Sequence, residues 1–181
     1  METPRGICHV LFMEKLKLIT MDTCHHIFQS PIGPLGIAGN DQYISHILFE
    51  PPVIENTDQL PDVFRRCLEE LEAYFAGSRQ GFGFPMQQSG TDFQQSVWQQ
   101  LLTIPYGTTI SYMQLARQIN NPKSIRAVGS ANGSNHLPIV VPCHRVIGSN
   151  GALTGFGGGI WRKKWLLEHE WKHKYGTQQL F

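Results

Sequence analysis

The sequence predicts two domains: a small α/β unit, and after it a mostly helical unit of the winged helix-turn-helix kind. Three observations predict this. Residues 27–77 hold short apolar pieces separated by Gly, Pro and Asn-Asp, then one helix-period stretch, and a Gly-, Gln- and Pro-rich break comes next from Gly81 to Gly90. Beyond the break, three capped helical segments crowd into residues 91–133. Charge divides along the same line: residues 1–91 carry six Lys/Arg against eleven Asp/Glu, and residues 92–181 carry nine against three. A basic half suits a polyanion, although two differently charged solvated faces would give the same counts. The expected limits are 1–20 for a disordered extension, 21–88 for the α/β domain, 89–171 for the helical domain and 172–181 for a disordered tail.

Composition bounds the function. At 181 residues, 41% hydrophobic and 16% charged, the chain reads as an ordinary soluble globular protein. Its apolar runs are too short for a membrane span, and no apolar region with a small-residue cleavage site suggests secretion. Met13 and Met21 are alternative starts to Met1. The four cysteines (Cys8, Cys24, Cys67, Cys143) contain no CxxC, which argues against a zinc ribbon or a thioredoxin-type site and fits a reducing cytoplasm. In Cys24-His25-His26 the residues are adjacent and rarely converge on one ion, so a solvated segment is expected and no metal.

In chain order, Ser30 to Ala38 and Tyr43 to Phe49 predict a β-hairpin turning at Asn40-Asp41. Asp62 is placed to cap a helix whose Phe64, Cys67, Leu68, Leu71, Tyr74 and Phe75 share one face, with Gly77 as its stop. Cys67 then belongs to the core. Nothing in this half looks catalytic, and bracing is its expected role. Thr91-Asp-Phe-Gln94 is a capping box opening a helix with Phe93, Val97, Trp98, Leu101 and Leu102 on one face. Ser111-Tyr-Met-Gln114 is a second box, opening a short helix through Ile119. Asn121-Pro122 makes a turn, and Ser124 caps a third helix to about Gly133. Two short helices joined tightly in a basic half read as a helix-turn-helix, though such pairs also occur without DNA. Gly129, Ala131 and Gly133 permit close approach of another backbone.

Ile139-Val140-Val141 reads as a strand buried on both faces, stopped by Pro142. Cys143, His144 and Arg145 come next. A thiol at the end of a buried strand, beside a base and a cation, is placed like a nucleophile. The blander alternative, a buried cysteine acting as a small hydrophobe, leaves the polar pair awkward to bury. Ser149 to Ala152 is a hairpin turn. Thr154 to Gly159, centred on Phe156, is a glycine-rich loop that either flexes or walls a base pocket; the GxxxxGK[ST] order of a phosphate loop is absent. The last helix, Trp161 to about Trp171, is expected to expose Arg162, Lys163 and Lys164 and to bury Trp165, Leu166 and Leu167.

Pro142-Cys143-His144-Arg145-Val146, with Asn135 upstream, Arg126-Ala-Val-Gly, Gly155-Phe-Gly-Gly158 and Trp165-Leu-Leu-Glu-His-Glu170 in order and spacing, resembles the O6-alkylguanine-DNA alkyltransferases. The likeness runs from about Thr91 to Glu170 and more loosely back to Ile27. It implies a ribonuclease H-like N-terminal domain and transfer of an alkyl group from guanine O6 to Cys143, without cofactor or metal. It implies that His144 takes the thiol proton, Glu170 orients His144, Asn135 fixes the Cys143 turn, and Tyr112 donates to the guanine ring. The backbone around Cys143 and Val146, with the Phe156–Gly157 loop, would line the pocket. Arg126 would fill the stack vacated by a flipped base, with Ala127, Gly129, Ala131 and Arg145 also at the DNA. The implied partner is double-stranded DNA carrying O6-alkylguanine, with O4-alkylthymine a further lesion left open; a monomer is expected because no extended apolar stripe is left over, and the cytoplasm because the thiols are unpaired. The rival readings are a non-reactive lesion binder, an alkylation-sensing regulator and a Cys-His acyl hydrolase.

Overall fold

The computed structural model describes residues 24–52 and 56–176. The expected N-terminal extension, the alternative starts and the last five residues of the expected tail lie outside them. Three antiparallel strands, β1 (Cys24–Ser30), β2 (Gly33–Gly39) and β3 (Ile44–Phe49), form a sheet in that order. The hairpin turn falls where Asn40 and Asp41 predict it: the Asn40 side chain accepts from the backbone N–H of Gln42 (2.9 Å) and Tyr43 (3.0 Å). Cys24-His25-His26 is not a solvated segment. It opens β1, pairing with Gly39, Ala38 and Ile37, and its outer edge is tied by Thr57 N–H to the His25 carbonyl (2.9 Å). A strand with a polar start gives no clear period-two signal, which hides it in the sequence.

α1 (Asp62–Phe75) lies against this sheet through Phe64, Cys67, Leu71 and Tyr74, all fully buried. Pro61, not Asp62, occupies the N-cap; Asp62 sits in the first turn, where its charge suits the helix dipole and pairs with Arg65. Gly77 ends the helix at φ +79°.

α2 (Asp92–Leu101) opens with the predicted capping box, Gln94 N–H to Thr91 Oγ1 (3.3 Å) and Thr91 N–H to Gln94 Oε1 (2.9 Å). It buries Val97, Trp98 and Leu101, but Leu102 falls on its C-cap and is 41% exposed. α3 (Tyr112–Gln118) carries the second box, and α4 (Ile125–Gly133) comes after a short turn. Ser124 stands at the α4 N-cap without capping it, because its hydroxyl donates to the Asn121 carbonyl (2.7 Å). Trp98 fixes α4 to α2 through Nε1–H to the Ala131 carbonyl (2.9 Å). The α3–α4 pair is the expected helix-turn-helix. A two-residue parallel pairing joins β4 (Ile110–Ser111) to β5 (Val146–Ile147). Gly148 to Ala152 turns as predicted but leads into a loop, since β5 pairs with β4 and not with the residues after Ala152.

α5 (Ile160–Tyr175) runs four residues past Trp171. Of the three basic residues expected on its exposed side, only Lys164 is there; Arg162 and Lys163 are buried, 6% and 0% exposed. The backbone carbonyls of Ile32, Gly158, Val146 and Thr154 accept their hydrogen bonds, which offsets the cost of burying the charges. With Arg145 also buried, three of the nine basic residues of the second half do not face a polyanion. The core is continuous across both halves, from Leu35 and Phe64 through Tyr74 and Tyr106 to Cys143 and Leu166. No helix among the described residues is long and apolar enough to cross a membrane.

Candidate active site and base pocket

The segment before Cys143 is a turn, not the expected strand. Ile139, Val140 and Val141 are buried as predicted, yet Ile139 has φ +76° and Val141 N–H closes onto the Leu137 carbonyl (2.8 Å). Asn135 explains the difference. Its Nδ2 donates to the Val141 carbonyl (2.8 Å) and its Oδ1 accepts from Leu137 N–H (3.0 Å), so one side chain occupies groups a neighbouring strand would need. Positive φ at a β-branched residue costs roughly 1–3 kcal/mol and persists only where surrounding contacts enforce it. Pro142 (φ −81°, ψ 63°) then makes an inverse γ-turn, with Cys143 N–H on the Val141 carbonyl (2.8 Å). Cys143 starts a 3-10 turn through Arg145.

Cys143 is 5% exposed. Burial pushes its thiol pKa up, while the Asn135 side chain and the Lys163 charge pull the other way. His144 is fully buried, and burial lowers its pKa against the pull of Glu170. Both groups therefore rest neutral. His144 Nε2 faces Glu170 Oε1 at 2.8 Å, so Nε2 carries the proton and donates it. Nδ1 is then a lone pair, buried and without a hydrogen-bond partner among the described residues. A lone pair left open in this way can accept a proton.

Glu170 is the hub of the site. Besides His144 it accepts Arg145 Nε and Nη2 (both 2.9 Å), the Tyr74 hydroxyl (2.8 Å) and Gly107 N–H (2.9 Å). Burial alone would raise its pKa, but the hydrogen bond from His144 and the charge and hydrogen bonds of Arg145 outweigh that and hold it well below the usual carboxylate range. Arg145, expected at the DNA, is instead 6% exposed, and its third nitrogen, Nη1, donates to the Ile104 carbonyl (2.6 Å). Tyr74 is a site residue that sequence reasoning missed, since it sits on an apolar helix stripe. A buried tyrosine needs a partner for its hydroxyl, but the stripe does not say which.

A cavity of about 470 Å³ opens beside Cys143, lined by Asn135, Asn132, Phe156 and Gly157 and, on the far side, by β3 from His46 to Phe49. The Val146 backbone, also expected there, is not among the lining groups: its carbonyl accepts Lys163 Nζ (2.6 Å), and its side chain is fully buried. Lys163, also unforeseen, donates to the Thr154 carbonyl as well (2.7 Å), tying the glycine loop to the strand after Cys143. Burial lowers its pKa to about 8, against the opposing pull of Cys143. The Tyr112 hydroxyl reaches the same Thr154 carbonyl (3.3 Å). The β3 wall corrects the expectation that the first half only braces.

On α4, Arg126 and Ala127 are exposed and Gly129 is half-buried against the Tyr112 ring. Ala131 is not free for a ligand: it is 3% exposed, on the side of α4 that Trp98 holds. The open surface is thus the first half of α4. Among the described residues no cluster of His, Cys, Asp or Glu is arranged to hold a metal.

Both halves of the chain match known proteins. Residues 23–88 match the family model of the 6-O-methylguanine DNA methyltransferase ribonuclease-like domain, and residues 92–172 that of the DNA binding domain of the same family. A methylated-DNA–protein-cysteine methyltransferase of Mycobacterium bovis is 48% identical over 151 residues, 81% of this chain and 91% of that one. One from Methanosarcina acetivorans is 44% identical, covering 80% and 96%. A crystal structure of the Mycobacterium tuberculosis O6-methylguanine methyltransferase superposes with TM-score 0.75 at 46% identity, covering 83% and 93%. The same organism's protein in complex with DNA gives 0.74 at 48%, covering 82% and 93%. The chain belongs to the 6-O-methylguanine DNA methyltransferase family.

Proposed function

We propose that this protein repairs O6-alkylguanine in duplex DNA by moving the alkyl group irreversibly to Cys143. The observation that carries the reading is the buried His144–Glu170 pair directly after Cys143, with His144 Nδ1 left open, and a cavity of about 470 Å³ beside the thiol.

The target oxygen faces the inside of the duplex, so the nucleotide is flipped, at a cost of a few kcal/mol in stacking and pairing. Arg126 fills the vacated place, and Ala127 and Gly129 let α4 approach the groove closely. Within the pocket the Cys143 proton passes to His144 Nδ1 through one water. Glu170 stabilises the resulting imidazolium, as an acid-base relay requires. The thiolate attacks the alkyl carbon, the C–O6 bond breaks, and its electron pair moves onto O6 and into the ring. Tyr112 donates a proton to the ring as that charge develops, and the proton held by His144 replaces it. The products are guanine and S-alkylcysteine. The thioether is stable to hydrolysis, so each molecule acts once, as a monomer, and no cofactor takes part.

The test is intact mass and peptide mapping after mixing with a duplex carrying O6-methylguanine. One CH2 unit is expected on the Cys143 peptide at one-to-one stoichiometry, and none in Cys143→Ser. Tight lesion binding without any mass change would sink the transfer and favour a non-reactive lesion binder. Arg126→Ala is expected to weaken lesion-duplex binding roughly tenfold, about 1.4 kcal/mol, in a titration by fluorescence anisotropy. Alkylation of Cys143 by iodoacetamide should be unchanged; a Cys-His hydrolase would show the opposite indifference to DNA.

A further inference from the structure

Arg162 takes no part in the alkyl transfer, yet it is a buried cation beside the base pocket. Its Nε donates to the Ile32 carbonyl (2.8 Å) in the β1–β2 turn, and its Nη1 to the Gly158 carbonyl (2.7 Å) in the glycine loop. The guanidinium lies 5.4 Å from the Phe49 ring centre and 4.4 Å from that of Trp161. Phe49 in turn packs on Phe156 (5.4 Å between centres), and these two rings line the cavity from opposite domains. Gly158 fits only because it lacks a side chain: a Cβ there would stand 2.6 Å from the Phe49 ring. Lys163 holds the other end of the loop at Thr154. Consecutive residues of α5 therefore grip the two ends of one loop, and only Arg162 also reaches the N-terminal sheet.

We infer that Arg162 is a positioning residue, bracing the pocket loop against the N-terminal domain and setting the gap between Phe156 and β3 into which the alkyl group fits. The inference rests on the repair reading and deepens it by assigning adduct-size selection to this brace. The Glu50 contact (3.0 Å) is not the source of the effect, because Glu50 is 76% exposed and water screens the pair. The two buried carbonyls are. They lose their donors together if the guanidinium goes, and a loop displaced by about 1 Å misplaces a reacting centre by enough to cost up to 10²-fold in rate.

The experiment measures single-turnover transfer at saturating duplex carrying O6-methylguanine or O6-benzylguanine, for wild type, Arg162→Met, Arg162→Lys and Glu50→Gln. Arg162→Met is expected to lower the saturating methyl-transfer rate about 10- to 100-fold and to change the methyl-to-benzyl rate ratio at least about threefold. Iodoacetamide should still label Cys143 within about twofold, since that reaction needs the thiol and not the loop. Arg162→Lys should recover part of the rate, because an ammonium is a compact donor without the fork that spans both carbonyls. Glu50→Gln should match wild type. Wild-type transfer by Arg162→Met, or loss of transfer, labelling and thermal stability in parallel, would overturn the brace. If Arg162→Met does not fold, Arg162→Lys carries the test: an unchanged rate ratio overturns the inference. Should wild type transfer no alkyl group, the repair reading falls alone. The brace is then read from the relative affinities for the two lesions, which Arg162→Lys must shift.

Discussion

Glu170→Ala is expected to lower the free energy of unfolding by about 3–5 kcal/mol, the usual consequence of removing one member of a buried ionic network. The carboxylate is fully buried and holds Arg145, His144, Tyr74 and the Gly107 amide at once, so its loss leaves a guanidinium inside the core with the Ile104 carbonyl and the face of the Tyr106 ring among the described residues. Urea denaturation measures the change, and a loss below about 1 kcal/mol would show that water or a neighbour replaces the carboxylate. Transfer should fall by roughly 10²–10⁴-fold, because His144 loses both its orientation and the counter-charge for its protonated form. Glu170→Gln separates the two effects. It keeps the shape and one acceptor oxygen, so stability should recover more than the rate.

The same carboxylate gives the protein an acid limit. Its folded pKa lies below the unfolded value of about 4.3, so the folded state binds fewer protons there than the unfolded chain. The stabilisation is fully present above that pH and is lost as the pH falls toward the folded pKa. Denaturation midpoints measured from pH 6 down to pH 2 should drop below pH 4.3, and the drop should be shallower in Glu170→Gln.

Trp98→Ala is expected to cost about 3–5 kcal/mol, the range for truncating a buried tryptophan. The indole is 2% exposed and its N–H is the bond that ties α2 to the carbonyl of Ala131 on α4. The helix presenting Arg126 would lose its support, so duplex affinity should fall with stability. Trp98→Phe keeps most of the ring but not the donor, and should cost about 1–3 kcal/mol for the buried carbonyl left unpaired. An Ala variant as stable as wild type would mean that the space is refilled by neighbouring side chains.

Local chemistry made much of this legible from sequence. The two capping boxes are reciprocal bonds over three residues, and both formed; Gly77 and the Asn40 turn were equally local. Cys143, His144, Asn135 and Glu170 were named through the resemblance; the structure sets His144 on Glu170 and Asn135 on the turn that leads to Cys143. What could not be read was tertiary. Ile139 to Val141 looked like a strand because burial and β-branching were visible, whereas the Asn135 side chain that bends the segment acts across six residues. Arg145, Arg162 and Lys163 looked like surface cations because their partners are backbone carbonyls or a carboxylate distant in sequence. Tyr74 meets Glu170 across 96 positions. No periodicity announces such a meeting.

The Tyr74–Glu170 bond also bears on how this chain can be recombined with its relatives. A cut in the Gly81–Gly90 segment, the natural place to join halves from two proteins, separates Tyr74 from Glu170, Ile32 from Arg162, and Phe49 from Phe156. A hybrid joined there inherits each contact only if both parents supply matching partners. The unit that can be exchanged intact is therefore a set of paired positions spread over the whole chain, and a contiguous half is not one.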